Sequence, residues 1–403
     1  MKILFITDNF PPEVNAPATR TYEHCKEWVK DSKTDVTIIT CVPNFPHGKI
    51  YEGYKNRFYQ TEYIDGIKVI RVWSYITSNS GFLRRILDYF SFGVMAFFIG
   101  LFQKHDIVIA TSPQFFTTWA ALGISKIRRK PWIFELRDLW PESIKTVGAM
   151  KDGIVIRMLE KIELRLYKSC NKVVAVTEAF KTNLISRGVD ANKIEVVTNG
   201  SNIELFYPRQ KDEALLKELN LEKKFIVGYI GTHGMAHSLD FIVKAIAKID
   251  DLSIHFLFVG DGAMKERVVQ IAKELKLNNI TFLNQIKKSE VPRYISICDI
   301  SLTPLKKEDC FKTVIPSKIF ESSAMLKPTL LGVEGEAKRI IEKYSAGICF
   351  EPENEEDFIN KLFMIKDKET YKKLQEGCCR LANDFDRKRL ANKMLNIIKG
   401  IKK

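Results

Sequence analysis

Several familiar catalytic signatures are missing from this chain of 403 residues. No Gly-Lys pair is followed by Ser or Thr, so the sequence contains no Walker A loop. The segment Gly260-Asp261-Gly262 begins a G-x-G-x-x-G pattern, but the third glycine is absent. These absences exclude a P-loop NTPase and a dinucleotide-binding enzyme with the usual fingerprint.

The eight cysteines are scattered along the chain, and none of them forms a C-x-x-C pair. A zinc knuckle or a redox motif is therefore not expected, and reduced thiols in a cytoplasmic protein fit best. The chain also has no internal repeat and no low-complexity tract. Residues 1–8 are predicted to form a buried strand rather than a signal peptide, because their apolar run is short.

Positive charge is abundant, with a net charge of +14, and hydrophobic residues make up 45% of the chain. This composition supports a packed core and indicates an anionic partner such as a membrane surface or a phosphorylated substrate. The basic residues are spread out and not interleaved with aromatic residues. No nucleic acid partner is therefore predicted.

Short apolar runs alternate with helical patterns along most of the chain, which is typical of parallel sheets covered on both faces. Two such series are present, separated by a polar stretch over 199–224. We therefore predict an α/β protein with two Rossmann-like domains facing across a cleft. The first covers 1–200 and the second 201–386, with a final helix over about 387–403 packing back on the first.

The segment 82–102 is almost wholly apolar and aromatic from Tyr89 to Phe102. Those fourteen residues, at about 1.5 Å each, fall short of a bilayer core of about 30 Å. An interfacial helix is one interpretation, with Arg84 and Arg85 meeting anionic headgroups beside Tyr89 and Phe90. A buried core helix of the first domain is the other, and the sequence leaves both open.

A glutamate lies on the predicted first turns of a helix in the segment Pro316-Ser317-Lys318-Ile319-Phe320-Glu321. A carboxylate can accept both hydroxyls of a ribose, while a lysine and the amides at a helix start can hold a diphosphate. This combination indicates a nucleotide-sugar site. An ordinary amphipathic surface helix is the alternative.

A glycine-bearing turn follows a predicted strand at Gly231-Thr232-His233-Gly234, and His237 comes soon after. Such a turn lets backbone amides approach phosphate oxygens closely. The two histidines, when protonated, would face a diphosphate; helix capping or core packing is the alternative for each. No metal-ligand spacing accompanies them.

Polar residues also follow two predicted strands of the first domain. A proline-rich turn carries Asn15 and Arg20, and a second strand ends in Arg137-Asp138-Leu139-Trp140-Pro141-Glu142. Ligands of open α/β sheets bind at the carboxyl ends of strands, and carboxylates beside an aromatic ring suit a polyol. A glycosidase with paired acids is the competing interpretation, but phosphate-binding features do not fit simple hydrolysis.

With these motifs assembled, the chain resembles the retaining GT-B glycosyltransferases of family 4. It is most similar to bacterial transferases that build O-antigen or capsule repeats, in particular N-acetyl-L-fucosamine transferases. The resemblance covers nearly the whole chain. The resemblance is based on the segments 43–54, 138–143, 197–200, 231–237, 259–262 and 316–321.

The resemblance implies roles for residues in the second domain. Glu321 would hold the donor ribose, and Thr313 stands where the family has another glutamate, which hints at a deoxy sugar. Thr232 and His237 stand where many relatives bind the diphosphate with Arg and Lys, so Lys318 and His233 are the expected substitutes. The remaining donor contacts implied are Gly231, Gly234, Gln285, Ile286 and Lys287 beside the uracil, and Pro316 and Ser317.

For the first domain the resemblance implies a catalytic set of Asp138, Arg137, Glu142 and His47, with Arg137 standing where relatives often carry His. The acceptor and membrane residues would be Asn15, Arg20, Arg84, Arg85, Tyr89 and Phe90.

The reaction implied is transfer of a sugar with retained anomeric configuration, without metal or cofactor, after domain closure about the 199–224 linker. The donor would be a UDP-sugar, and the acceptor a polyprenyl-diphosphate-linked saccharide at the cytoplasmic membrane surface. A GT-B epimerase acting on UDP-N-acetylhexosamine is the alternative that shares the fold.

Overall fold

The computed structural model describes residues 1–77, 82–112, 115–139 and 153–401. The chain divides into two compact units. The first contains Met1–Thr198 together with Arg387–Lys403, and the second contains Asn199–Asp386. The chain thus leaves the first unit next to the boundary expected at residue 200 and returns to it at Arg387.

An eight-stranded sheet forms the centre of the first unit, in the order β3-β4-β2-β1-β5-β6-β7-β8. Its strands are β1 (Lys2–Ile6), β2 (Asp35–Cys41), β3 (Tyr59–Ile64), β4 (Ile67–Val72), β5 (Ile107–Thr111), β6 (Trp132–Leu136), β7 (Lys172–Ala175) and β8 (Ile194–Val196). All neighbours pair in parallel except β3, which runs antiparallel to β4 at the sheet edge.

The second unit has a six-stranded parallel sheet in the order β11-β10-β9-β12-β13-β14. Its strands are β9 (Phe225–Ile230), β10 (Ile254–Val259), β11 (Ile280–Leu283), β12 (Ile300–Pro304), β13 (Thr329–Gly332) and β14 (Gly347–Cys349). The order reverses direction after β9, so the loop that follows β9 lies at a topological switch point, where open α/β sheets bind ligands.

Helices cover both sheets. In the first half of the chain the described helices are α1 (Ala16–Trp28), α2 (Phe82–Phe102), α3 (Phe115–Arg128), α4 (Ile154–Ser169) and α5 (Glu178–Ser186). In the second half they are α6 (Glu213–Glu218), α7 (Leu239–Ile246), α8 (Lys265–Glu274), α9 (Val291–Ile297), α10 (Lys318–Ala324), α11 (Glu336–Tyr344), α12 (Glu355–Lys366), α13 (Lys368–Asp384) and α14 (Arg387–Gly400).

The C-terminal helix α14 packs against α1. The indole Nε1 of Trp28 on α1 donates to the carbonyl oxygen of Ala391 at 2.8 Å. The side chains of Leu390, Met394 and Ile398 are buried in the core of the first unit. Apolar residues three to four apart on α14 therefore form the stripe that fixes this helix on the first sheet.

The predicted α/β class with two Rossmann-like domains is confirmed. The predicted strands are present, but β3 was missed. Its residues alternate between exposed and half-buried positions, and its tyrosines at 59 and 63 lie on the exposed face. An edge strand with no fully buried residue lacks the apolar run that identified the other strands.

Helix α2 is longer than its apolar run. The length estimate from Tyr89–Phe102 therefore underestimated the helix. It spans 21 residues, and among the described residues Arg84–Phe102 is the only helical segment long and apolar enough to cross a membrane. Phe92 and Ala96 are nevertheless fully buried in the core of the first unit, whereas Phe98 is 54% exposed. One face of α2 thus covers the sheet and the other faces outward.

Candidate active site

Two glycine turns of the second unit pack directly on each other after β9 and β10. Gly231 has φ 149°, and a Cβ there would lie 2.6 Å from Cε of Lys318. Gly260 has φ 148°, and its Cβ would lie 1.9 Å from the carbonyl oxygen of Gly231. Only glycine fits these two positions. The predicted phosphate-type turn is therefore a close-packed element with Lys318 directly behind it.

Lys318 begins α10 and extends beneath this turn. Its Nζ lies 3.6 Å from the centroid of the Tyr229 ring, a cation–π contact. The Nζ atom is buried, and no other described residue accepts a hydrogen bond from it. Burial lowers the pKa of Lys318 to about 7, although Glu321 acts in the opposite direction. A buried ammonium without an acceptor is suited to an anionic ligand.

His233 and His237 both lie near the same tyrosine ring, 5.5 Å and 6.1 Å from it between centroids. Burial lowers the pKa of both imidazoles to about 4. In the structure they are therefore neutral at pH 7, unlike the protonated pair that the sequence interpretation considered. His233 is fully buried, and its backbone joins the two glycine turns through bonds to Asp261 and Met264.

Glu321 lies one helical turn after Lys318 on α10. Both side chains line a small cavity of about 20 Å³, enough space for one water molecule, beside Gly228 and Lys327. Thr313 donates its hydroxyl to the carbonyl oxygen of Cys310 at 3.3 Å within a short 3₁₀ turn. The ribose role of Glu321 and the donor role of Thr313 stay predictions.

The loop predicted to meet the uracil follows β11. Gln285 and Lys287 are exposed there, and Ile286 packs on the core. Lys265 was missed, although its Nζ donates to the carbonyl oxygens of Gly260 at 2.8 Å and Leu283 at 3.0 Å. It joins the ends of β10 and β11. A lysine at the start of α8 gives no sequence signal that distinguishes it from a surface lysine.

In the first unit, Arg20 is held in a buried network. Its Nε lies 3.0 Å from Oε1 of Glu135, and its other nitrogens donate to the carbonyl oxygens of Val197 and Thr198 at 2.7 Å and 2.6 Å. These partners lie at the carboxyl ends of β6 and β8. Arg20 therefore fastens α1 to the edge of the sheet where ligands are expected.

Arg137 follows β6, and its backbone N–H donates to Oγ of Ser112 at 2.9 Å. Burial lowers the pKa of its guanidinium to about 10, with Arg20 and Arg387 adding to the effect. Its Nη1 is buried and has no hydrogen-bond partner among the residues of the described ranges. Asp138 follows it at a half-exposed position. Trp140, Pro141 and Glu142 lie outside the described residues.

Two neighbours of this cluster were missed in the sequence. His24 is buried beside Trp28, and burial lowers its pKa well below the usual value. Arg387, the first residue of α14, pairs with Glu23 on α1. Arg20, Arg137 and Arg387 all lower the pKa of His24 further. Residues more than 360 positions apart cannot be matched from sequence pattern alone.

The loop over 43–54 is anchored by Glu13, which the sequence did not single out. Its carboxylate accepts backbone N–H groups of Asn44 and Phe45, each at 2.9 Å, and of Phe10 at 3.3 Å. Burial raises its pKa despite these bonds. His47 is exposed in the same loop, so its predicted catalytic role depends on what binds there.

The predicted acceptor and membrane residues fall into two groups. Asn15 is the N-cap of α1, and its Oδ1 accepts from the backbone N–H of Ala18 at 2.9 Å. Arg84 and Arg85 are exposed at the start of α2, where Arg85 donates to the hydroxyl of Tyr89 at 3.1 Å. Phe90, also exposed, borders an apolar groove of about 170 Å³ between α2 and α3.

Within the described ranges, no three His, Cys, Asp or Glu side chains are grouped in a way that could hold a metal ion. The groups of the second unit that are suited to a phosphorylated ligand are instead the Lys318 side chain and the backbone of the Gly231 turn.

Family models match both halves of the chain. Residues 18–205 match the model "Glycosyltransferase Family 4", and residues 210–377 match "Glycosyl transferases group 1". The chain is a family-4 glycosyltransferase of the GT-B class. Arg20, Arg137 and Asp138 of this glycosyltransferase lie in the first match, and Gly231 through Glu321 lie in the second.

The glycosyltransferase is similar to curated bacterial proteins. It is 25% identical over 372 residues to WcaI of Escherichia coli strain K12, described as a colanic acid biosynthesis glycosyl transferase; the match covers 89% of this chain and 90% of that protein. It is 24% identical over 254 residues to TuaH of Bacillus subtilis strain 168, described as a teichuronic acid biosynthesis glycosyltransferase, covering 62% of each chain.

Solved structures share the fold over the full length. Sucrose-phosphate synthase from Thermosynechococcus elongatus has a TM-score of 0.77 at 16% identity, covering 99% of this chain and 98% of that one. The Anabaena protein HepE, solved with UDP-glucose, has a TM-score of 0.72 at 16% identity, covering 100% of each chain. At this identity the likeness shows the GT-B fold of the glycosyltransferase and nothing finer.

Proposed function

We propose that the protein transfers an N-acetylated deoxy-hexosamine, such as N-acetyl-L-fucosamine, from a UDP donor to a lipid-linked saccharide. The transfer retains the anomeric configuration and serves the synthesis of a surface polysaccharide such as O-antigen or capsule. The observation that carries this proposal is the arrangement after β9, where Lys318 lies behind the Gly231 turn and Glu321 follows one helical turn later.

Several findings support a UDP-sugar donor. The Gly231 turn lies at the switch point of the second sheet, and its backbone amides are suited to phosphate oxygens. HepE, which shares the fold, was solved with UDP and with UDP-glucose. The relatives WcaI and TuaH carry names that place them in polysaccharide biosynthesis. These names motivate the proposed pathway class for this chain.

The proposed chemistry depends on where negative charge develops. As the sugar leaves, charge builds on the diphosphate, and cationic or N–H groups held in place there lower the barrier. We assign that role to Lys318 and the turn of Gly231, Thr232, His233 and Gly234, with His237 beside it. Glu321 would accept hydrogen bonds from the ribose hydroxyls, with Pro316 and Ser317 beside it. Thr313 would lie near the transferred sugar. Gln285, Ile286 and Lys287 would meet the uracil.

In the first unit we assign the acceptor side to Arg137 and Asp138, together with Glu142 and His47. The half-exposed position of Asp138 at the end of β6 supports this assignment, because that edge is where ligands bind. Arg20 and Asn15 belong to the same edge and, by their contacts, hold α1 in place.

We also propose that the protein is cytoplasmic and binds the inner membrane surface peripherally through α2. The outward face of this helix supports the idea: Phe98 and Phe102 are 54% and 83% exposed. Trp119 of α3 is exposed in the apolar groove between α2 and α3, which Phe98 also lines. The guanidinium groups of Arg84 and Arg85 at the start of α2 are suited to anionic headgroups.

The test is to incubate the protein with a panel of UDP-sugars, with and without a lipid-linked saccharide, while following UDP release and product mass. We expect UDP release that requires the acceptor and a product heavier by one N-acetylated deoxy-hexosamine residue. Conversion of a UDP-sugar into its epimer without acceptor would instead establish the epimerase alternative. No UDP release with any donor in the presence of acceptor would contradict the proposal.

A further inference from the structure

Three basic side chains of the second unit lie around the ring of Tyr229. The Nζ of Lys318 lies 3.6 Å from the centroid of the Tyr229 ring, and the rings of His233 and His237 lie 5.5 Å and 6.1 Å from it. Gly231 lies directly above Lys318. The cluster is therefore part of the same turn to which we assign the donor diphosphate.

Four nitrogens of this cluster have no hydrogen-bond partner among the described residues. The Nζ of Lys318, both ring nitrogens of His233 and the Nδ1 of His237 are buried without a hydrogen bond to any residue that the structure describes. A buried polar atom without a partner costs free energy, so folded proteins usually satisfy such atoms. Four of them in one place indicate that a polar ligand from outside completes the site, accepting from Lys318 and from the one N–H of each neutral imidazole.

The charges around the cluster are few. Glu321, on the same helix as Lys318, favours its charged form. Asp261, in the turn after β10, favours the charged form of His233, whereas Lys265 at the start of α8 opposes it. Burial outweighs the two carboxylates, so the pKa of Lys318 is about 7 and that of each histidine is about 4. Without a ligand, the cluster is thus largely neutral above pH 7.

We propose that this cluster binds the donor diphosphate together with a proton, so that the nucleotide and up to one proton from solvent enter and leave the site as a pair. The proposal rests on the proposed UDP-sugar donor. Lys318 is the main acceptor: its neutral amine takes one proton and becomes the ammonium that bonds to the diphosphate. The proton comes from a hydronium ion or buffer acid in solvent, whose bond to it breaks as the new N–H bond forms, and no other covalent bond changes.

The physical reason is electrostatic. An anion within about 4–6 Å raises the pKa of a basic group by about 1 to 3, because it stabilises the charged form. A diphosphate beside Lys318 would therefore raise its pKa from about 7 to about 9. The free protein avoids burying a permanent charge, and the occupied site is cationic when the leaving diphosphate requires it.

A structural role for the same residues makes a different prediction. If Lys318 and the histidines only pack against Tyr229, their replacement changes stability, and UDP binding involves no proton exchange. The number of protons taken up per UDP therefore distinguishes the two roles.

The experiment is calorimetry of UDP binding to the full chain at pH 8 in two buffers with different ionisation enthalpies, HEPES and Tris. At this pH UDP itself is almost fully ionised, so a proton taken up on binding is gained by the protein. For the pKa rise above we expect uptake of about 0.8 proton per UDP, and an affinity that falls about fivefold per pH unit between pH 7 and 9.

Variants locate the proton. Lys318→Met removes the uptake at pH 8, and Lys318→Arg, which does not titrate in this range, does the same while keeping a charge. The control is Lys327→Met, because Lys327 is another buried lysine of the unit, but its Nζ donates to the carbonyl oxygen of Ser296 at 3.0 Å. We expect this control to keep the wild-type proton count.

UDP binding by the wild-type protein without net proton uptake at pH 8 would overturn this proposal and leave the proposed donor standing. Equal uptake in wild type and Lys318→Arg would also overturn it, since the proton would then belong to another group. Failure of the wild-type protein to bind UDP anywhere between pH 6 and 9 would overturn the proposed function, and this proposal with it.

Discussion

Arg20 and Glu135 form an almost fully buried ion pair, with 3.0 Å between Nε and Oε1 and exposures of 4% and 1%. The pair joins α1 to β6, and Arg20 continues to the backbone after β8 through Val197 and Thr198. A residue near the start of the chain thus fixes the carboxyl edge of the sheet to which we assign the acceptor.

Breaking this pair should destabilise the first unit strongly. Arg20→Met removes the hydrogen-bonded ion-pair partner of the buried Glu135 and leaves only the charge of Arg137 near it among the described residues, which costs about 3–5 kcal/mol of unfolding free energy. Unfolding in urea measures this loss of unfolding free energy. The control is Arg293→Met, since the Arg293–Asp212 pair lies at the surface, with Arg293 41% exposed, and its loss should change the unfolding free energy far less. Equal effects of the two substitutions would contradict the role of Arg20.

Gly231→Ala should impair donor binding. The added methyl group would lie 2.6 Å from Cε of Lys318 at a φ of 149°, so the turn and Lys318 must move apart. We expect UDP affinity to fall at least tenfold. Gly188→Ala is the control: Gly188 also has positive φ, +80°, but open space around its Cβ. It should cost about 1 kcal/mol of stability and leave UDP affinity unchanged.

His255 should make stability depend on pH. Burial lowers its pKa to about 4, below the unfolded value near 6.5, and its Nε2 lies 2.9 Å from Oγ1 of Thr281. The unfolded state then binds more protons as the pH falls below 6.5, so this contribution to stability is full above 6.5 and is lost toward pH 4.

Between pH 6.5 and 5 the loss from His255 alone is about 2 kcal/mol of unfolding free energy. His255→Gln should lack this part of the pH dependence, as measured by urea unfolding at pH 7 and pH 5. His233 and His237 act in the same direction, since burial also lowers the pKa of each. An unchanged difference between the two pH values in His255→Gln would contradict the assignment.

The outward face of α2 should bind anionic vesicles. Phe98→Ser combined with Phe102→Ser removes two exposed apolar side chains and should weaken binding at least tenfold. Trp119, exposed beside this face, should show a blue-shifted emission on binding. Leu252→Ser is the control, because Leu252 is 81% exposed on the second unit. Equal sedimentation of all variants with vesicles would argue against membrane contact through α2.

Much of the fold could be predicted because each buried strand is an apolar run bounded by polar residues. Helix α1 begins at Ala16, inside the segment interpreted from the sequence as a proline-rich turn, because Asn15 caps it and Pro17 is tolerated in a first turn. The strand β3 was missed because half-exposed edge strands carry no such run. Periodicity thus reports burial, and it fails where burial is incomplete.

The candidate site was predictable only where its residues are adjacent in sequence. The Gly231 turn and the Lys318–Glu321 helix each form a local pattern, but their contact arises from the order of β9 and β12 in the sheet. Arg387 pairs with Glu23, 364 positions before it, and Lys265 joins the ends of two strands, so neither contact follows from a local pattern. The lowered pKa of Lys318 likewise follows from burial, which no local pattern shows.

The most direct test of the account is the affinity for UDP at pH 7 of the wild type, Lys318→Met, Glu321→Gln and the control Lys327→Met, measured by calorimetry. We predict that the first two substitutions each weaken binding about tenfold or more, because each removes a charged partner of the nucleotide, while Lys327→Met matches the wild type. Wild-type affinity in both Lys318→Met and Glu321→Gln would contradict the placement of the donor in the second unit.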